Sequence, residues 1–102
     1  MSRHLLPIPT GYGPATEAVV GWDVQTATYF LHISPPRGST DRAVVLGMRE
    51  RELYDLDDFL PVMQEHGIDA PDRLIAELYW DRDMGRSNRV IDWRSSQPIQ
   101  LL

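Results

Sequence analysis

The sequence predicts an α+β domain in which a helical hairpin packs on one face of a three-stranded antiparallel meander. Two runs rich in β-branched and aromatic residues flank a polar break at 23–27, a pattern typical of a β-hairpin. A third apolar run follows at 43–48, and apolar residues then recur with helical spacing from 56 to 78. A strand from the tail, at 89–94, is the alternative that adds a fourth strand to the sheet.

The chain of 102 residues has room for one domain with one core. Residues 1–16 contain Pro7, Pro9, Gly11, Gly13 and Pro14, a density that no regular ladder tolerates, so we expect an extended or mobile N-terminal arm. The α+β domain is expected to cover 17–85. The tail, 86–102, is expected to hold the extra strand and then a frayed end.

The organising element is the hairpin formed by strands predicted at 17–24 and 28–34. The second strand is the most apolar segment of the chain and is therefore expected at the centre of the sheet. Tyr29, Leu31 and Ile33 alternate onto one face of it, while Phe30 and His32 lie on the reverse.

The loop at 34–41 begins with Pro35 and Pro36, which remove backbone donors and end the strand. It is too short for a parallel crossover, so the third strand, at 43–48, is predicted to run antiparallel to the second.

The helical half begins with three aspartates at 55, 57 and 58, placed to cap free N–H groups and to favour the helix dipole. Pro61 implies either a helix start near Asp58 or a kink. Gly67 ends this helix, Pro71 opens the second, and Gly85 closes it. The core stripe of the first helix falls at i, i+3, i+4 and i+7 and consists of Leu56, Phe59, Leu60 and Met63. The core stripe of the second helix consists of Leu74, Ile75 and Leu78.

Charge is distributed unevenly along the chain. All ten basic residues are arginine, and the net charge is −5. Residues 1–54 balance to zero, residues 55–85 carry nine acids against two arginines, and residues 86–102 carry three arginines against one acid. A helical half this acidic argues against direct nucleic-acid binding, because phosphate contacts need the opposite sign.

Catalytic and metal-binding patterns are missing from the sequence. There is no cysteine, which excludes disulfides and thiolate ligands, and the three histidines are far apart and follow no zinc-binding spacing. We therefore expect a non-enzymatic protein without cofactor or metal, and keep a small enzyme as the third hypothesis. The N-terminal residues lack the apolar run of a signal peptide and no stretch suits a membrane span, so a cytoplasmic protein is expected.

The second predicted helix carries a second apolar stripe. Ala76, Trp80 and Met84 fall nearly opposite the core stripe, with Arg73 beside them. Trp, Met and Arg are enriched at the centres of interfaces. We predict a docking surface for a protein partner or a second copy of the chain, made of Arg73, Ala76, Trp80, Asp81, Asp83, Met84 and Trp93. The alternative is that the tail, through Ile91 and Trp93, folds back and covers the stripe.

The run from Gly21, Trp22 and Asp23 to the strand at 28–33, followed by two short helices, resembles a group of small uncharacterised bacterial proteins associated with plasmids and mobile elements. The resemblance covers residues 19–83 and implies no catalytic residues. The preferred hypothesis is an interaction or regulatory module of this kind. The alternative is an acidic inhibitor that imitates nucleic acid and blocks a bacterial defence complex, as anti-CRISPR proteins do.

Overall fold

A computed structural model describes residues 1–40 and 42–102 as an α+β fold with a six-stranded mixed sheet and two helices. The strands are β1 (Arg3–Leu6), β2 (Glu17–Asp23), β3 (Thr28–Ser34), β4 (Val44–Leu46), β5 (Val90–Asp92) and β6 (Ile99–Gln100). The helices are α1 (Leu56–Glu65) and α2 (Asp72–Asp83). The strand order is β4-β3-β2-β1-β5-β6, so the predicted meander β2-β3-β4 forms only one half of the sheet. Asp41, in the predicted loop at 34–41, lies outside the described residues.

The hairpin β2–β3 forms where the sequence predicts it, with Val20 opposite Leu31 and Trp22 opposite Tyr29. Gly21 is required in β2 because a Cβ atom there would lie 1.9 Å from the backbone oxygen of Ser2. The Ser2 N–H donates to the Trp22 carbonyl at 2.9 Å, and the Trp22 N–H donates to the Ser2 hydroxyl at 2.9 Å. The glycine therefore lets the N-terminal segment lie against the hairpin.

The N-terminal segment differs from the predicted arm. Arg3–Leu6 form β1, which pairs antiparallel with β2 and parallel with β5. The prolines and glycines that exclude a regular ladder begin only at Pro7, so the residues before them are able to pair. The tail does supply a strand, but this strand joins β1 rather than the meander, and β6 continues the sheet where a frayed end is predicted.

The two helices pack on the sheet face that carries Val20, Tyr29 and Leu31. The ring of Phe59 in α1 stacks on Tyr29 at a centroid distance of 5.2 Å, and the Tyr29 hydroxyl donates to the Leu78 carbonyl of α2 at 2.9 Å. Phe59, Met63, Leu74 and Leu78 are buried, as their spacing predicts. The opposite face of the sheet carries Val45, which is 54% exposed.

Two details of α1 correct the predicted start of this helix. The helix begins at Leu56 and contains Pro61 in its interior, beyond the first turn where proline is best tolerated. Asp55 is the N-cap residue, but its side chain makes no capping hydrogen bond and lies 3.5 Å from Arg82 of α2. Asp57 and Asp58 do lie in the first turn, where carboxylates favour the helix dipole.

Candidate functional site

Five of the seven predicted docking residues are exposed along one side of α2. Trp80 is 51% exposed and Met84 is 62% exposed. Arg73, Ala76 and Asp83 are exposed as well. We call these five residues the outer face of α2. Among the described residues, none forms a hydrogen bond with the Trp80 indole.

Asp81 does not belong to this surface. The prediction placed its carboxylate in solvent, but the structure buries it completely, at 0% exposure. The reason is helical geometry, because Leu74, Leu78 and Asp81 follow one another at i, i+4 and i+7 and therefore share the side of α2 that faces the sheet. The core stripe of α2 thus ends in a charged residue.

Asp81 is the centre of an ionic network formed by His4, Glu77, Asp81, Arg86 and Arg89, which we call the buried ionic network because its central pair, His4 and Asp81, is fully buried while the other three side chains are 16–30% exposed. The Arg89 Nη1 donates to Asp81 Oδ1 at 2.7 Å, and its Nη2 donates to Glu77 Oε2 at 2.9 Å. The Arg86 Nη2 donates to the same Glu77 oxygen at 3.0 Å. The Arg86 Nε lies 3.0 Å from Asp81 Oδ1, an ion pair without the alignment of a hydrogen bond. Two carboxylates therefore face two guanidinium groups.

His4 and Trp93 complete the network on the side of the sheet. The Trp93 indole N–H donates to His4 Nδ1 at 3.0 Å, and His4 Nε2 lies 2.7 Å from Asp81 Oδ2. Because an indole can only donate, Nδ1 of His4 must be the acceptor, so the ring proton is on Nε2 and is donated to Asp81. His4 is therefore neutral in this arrangement, and the charges of the network sum to zero.

The electrostatics of Glu77 follow from the same contacts. Burial by itself would raise the pKa of this carboxyl group. The hydrogen bonds and charges of Arg89 and Arg86 outweigh burial and hold the pKa below its ordinary value. Glu77 is thus held in its ionised form as a member of an ion-pair network.

The network also changes the acidic surface that the sequence predicts. Glu77 and Asp81 are neutralised internally by Arg86 and Arg89 of the tail. The other seven acids of residues 55–85 remain exposed, and they are Asp55, Asp57, Asp58, Glu65, Asp69, Asp72 and Asp83. The helical half is therefore acidic at its surface, but by a smaller margin than the sequence count indicates.

Trp93 is half-buried beside His4 and does not cover the outer face of α2. The alternative in which Ile91 and Trp93 fold over Trp80 is not what the structure shows. Ile91 lies opposite His4 in the sheet, and Trp80 stays exposed. Parallel pairing of β5 with β1 directs the tail to the sheet instead.

Trp93 contributes to a groove of about 510 Å³ between the segment after β1, the linker from α1 to α2, and the turn between β5 and β6. We call it the Trp93 groove. Its walls are mostly apolar and include Leu6, Ile8, Pro9, Ile68 and Pro98. Arg73 and Asp69 also line it, so Arg73 is shared between the groove and the outer face of α2.

The residues that sequence reasoning missed are His4, Arg86 and Arg89. The sequence places His4 in the predicted arm, and it shows Arg86 and Arg89 only as positive charges of the tail. The sequence does contain one signal for these ion pairs. The positively charged tail directly follows the most acidic part of the chain, so its arginines are available to neutralise acids there. The identity of the neutralised acids depends on tertiary structure.

Within residues 1–40 and 42–102, no group of three or more His, Asp or Glu side chains is placed to hold a metal ion. In the same part of the chain, no helix has both the length and the apolar character needed to cross a membrane.

The chain matches no protein-family model, no curated protein and no solved structure.

Proposed function

We propose that this protein is a non-enzymatic interaction module that binds a protein partner through the outer face of α2. The observation that carries the proposal is the exposure of Trp80 and Met84 beside each other on one helix, at 51% and 62%. Large apolar side chains grouped on an exposed face mark interaction sites more often than isolated ones do. Trp and Arg are also the residue types that most often dominate binding energy.

The charges around this face favour a basic partner over a second copy of the chain. Asp83 lies within one turn of Trp80, and Asp72 lies within one turn of Ala76. Two copies joined through this face would bring acidic surfaces together, which is unfavourable. A partner with an apolar patch rimmed by Lys or Arg would complement both the apolar side chains and the acidic charges of this face. Electrostatic attraction would also speed its association.

The chemistry of the buried ionic network supports a structural role for its members. His4 and Asp81 have the residue types of a catalytic pair, but both are fully buried. The remaining bonds of the pair go to Trp93 and the arginines, so neither residue faces an open site. The network joins α2 to both chain ends and thereby fixes the surface that α2 presents.

Affinity capture from the native host, followed by binding measurements with the retained partner, tests the proposal. Met84→Ala should weaken binding by about tenfold or more, since a buried interface side chain of this size is worth roughly 1.5–3 kcal/mol. Met48 offers a matched control, because it is the same residue type with the same 62% exposure and lies outside the helices. Equal effects of Met84→Ala and Met48→Ala would contradict the proposal.

The second candidate function is a nucleic-acid mimic that occupies the basic groove of a bacterial defence complex. The observation in its favour is the set of seven exposed acids on the helical half.

Salt dependence separates the two candidates. A mimic should lose affinity steeply with ionic strength and after Asp72→Asn combined with Asp83→Asn, because its binding rests on charge. The affinity of a module that binds mainly through Trp80 and Met84 should change little with ionic strength or with the double aspartate substitution. Asp81 is unsuitable for this test since its carboxylate is buried. A flat salt response would exclude the mimic.

A further inference from the structure

We propose that the Trp93 groove binds a small zwitterion with an apolar side chain, namely a hydrophobic amino acid or a dipeptide. The proposal does not depend on the partner proposed above. The volume of the groove, about 510 Å³, lies within the roughly 300–1,000 Å³ of ligand pockets. Its mixture of apolar walls and a few polar groups is also typical of such pockets.

The apolar part of the ligand would lie against Leu6, Ile8, Ile68 and Trp93. The Trp93 indole is anchored at its N–H by His4, and His4 is held in turn by Asp81. An anchored ring loses little freedom when a ligand stacks on it, which lowers the entropic cost of binding. Four prolines in the walls, Pro7, Pro9, Pro71 and Pro98, restrict the backbone around the groove further.

The charged part of the ligand follows from Arg73 and Asp69. Both residues line the groove, and among the described residues neither forms an ion pair, not even with the other. The Arg73 guanidinium suits a carboxylate, to which it can donate two hydrogen bonds. The Asp69 carboxylate suits an ammonium group.

A ligand with a single charge fits this pair less well. An anion drawn to Arg73 would be repelled by Asp69, and a cation drawn to Asp69 would be repelled by Arg73. A zwitterion satisfies both groups at once. The ligand class therefore follows from one cation and one anion among mostly apolar lining residues.

Proton–nitrogen correlation spectra of the full chain provide the test, with the Trp93 indole N–H as the reporter. The probes are L-phenylalanine, L-leucine and the dipeptide of the two. At least one should cause saturable shifts at Trp93 and at the amides of the groove. Absence of saturable shifts with all three probes, or shifts centred elsewhere on the molecule, would overturn the proposal.

Two analogues that each carry one charge test the charge assignment. N-acetyl-L-phenylalanine lacks the ammonium group, and L-phenylalaninamide lacks the carboxylate. Each should bind at least about tenfold more weakly than the zwitterion, because a hydrogen bond to a charged group contributes roughly 1.5–3 kcal/mol and each analogue loses at least one. Equal affinity for the zwitterion and both analogues would exclude a zwitterion as the ligand class.

Variants of the chain locate the two charges. Arg73→Gln should weaken binding of the zwitterion. Asp69→Asn should also weaken binding of the zwitterion, but it should strengthen binding of the N-acetyl analogue. Asp72→Asn removes an exposed acid that does not line the groove, so it should leave the affinities for the zwitterion and for the N-acetyl analogue unchanged. Trp80→Ala should also leave ligand binding unchanged, which separates this site from the proposed partner surface. Equal effects of Asp69→Asn and Asp72→Asn would refute the role of Asp69.

Discussion

Trp80 and Asp81 are neighbours in sequence, yet their environments on α2 are the reverse of what their chemistry favours. Asp81 is 0% exposed, while the much larger and more apolar Trp80 is 51% exposed. Aspartate is almost never fully buried unless it is paired, and tryptophan is usually well buried. Inside the molecule, His4, Arg86 and Arg89 supply the pairing that Asp81 needs. Nothing comparable covers Trp80.

The comparison shows how the rotation of α2 about its axis is fixed. Leu74 and Leu78 attach the first turns of the helix to the sheet by apolar contacts. At the next position of the stripe, Asp81 continues the attachment by ion pairs, so the last turn is held by charge. Because Asp81 is held inward, Trp80 and Met84 are held outward. The buried network thus determines which side chains α2 presents to solvent.

The largest expected effect comes from removing the charge of Asp81. Asp81→Asn should destabilise the fold by about 3–5 kcal/mol, because it removes the charge of the fully buried partner in these ion pairs and leaves Arg86 and Arg89 to share Glu77 alone. Urea denaturation of the parent and the variant measures the loss. Asp83→Asn is the matched control, since Asp83 lies on the same turn but is exposed. Similar losses in the two variants would show that the network does not hold α2.

Truncating a side chain in the apolar core gives a loss of stability with which the loss from the ionic network can be compared. Leu31→Ala should cost roughly 2–5 kcal/mol, because Leu31 is 0% exposed and little room exists to collapse around the lost volume, although β3 is the second strand from the sheet edge and not the central strand that the sequence predicts. The exposed Val45, on the neighbouring strand, is the control, and Val45→Ala should have a much smaller effect. A loss below about 0.5 kcal/mol for Leu31→Ala would show that the hairpin does not organise the fold.

A smaller effect is expected from the titration of Glu77. The pKa of this carboxyl group is lower in the folded protein than in the unfolded chain, so the unfolded state takes up its proton first as pH falls. Its contribution to stability is complete above the unfolded pKa and is lost as pH falls through the folded pKa. Glu77→Gln should therefore flatten the decline in unfolding free energy below about pH 4.5. Glu65→Gln, at an exposed position without an ion pair among the described residues, should leave the decline as in the parent.

The sequence was sufficient for those parts of the fold that depend on local pattern. The hairpin, the two helices and the buried residues Phe59, Met63, Leu74 and Leu78 lie where alternation and helical spacing predict them. The exposure of Trp80 also follows from its angle relative to the core stripe. In each case the determining residues lie within a few turns or strand positions of one another.

The parts that were missed depend on residues far apart in the chain. β1 is four residues long and pairs with β5, which begins 84 residues after β1 ends; no local pattern indicates such a partner. The burial of Asp81 requires His4 and Arg89 from opposite ends of the chain. The spacing from Leu74 and Leu78 already places Asp81 on the core side of α2, but only the pairing with His4 and Arg89 shows that a carboxylate can stay buried there. The Trp93 groove depends on the same pairing, since its walls come from both chain ends.

The smallest effect on stability is expected on the outer face of α2, where the effect on binding should be greatest. Trp80→Ala should change the unfolding free energy by no more than about 1 kcal/mol, because the side chain is half exposed and accepts or donates no hydrogen bond among the described residues. Binding to the partner should weaken by at least about tenfold if the indole becomes buried there, as expected for a large aromatic side chain at the centre of an interface.

Thermal unfolding and sedimentation of Trp80→Ala, measured alone and with the partner, test both halves of this expectation together. A variant that unfolds close to the parent temperature and no longer sediments with the partner would support a surface that acts only in binding. A variant that unfolds far below the parent and keeps its partner would identify Trp80 as a core residue. In that case the contrast with Asp81 would disappear, because both sides of α2 would then serve the fold and no docking face would remain.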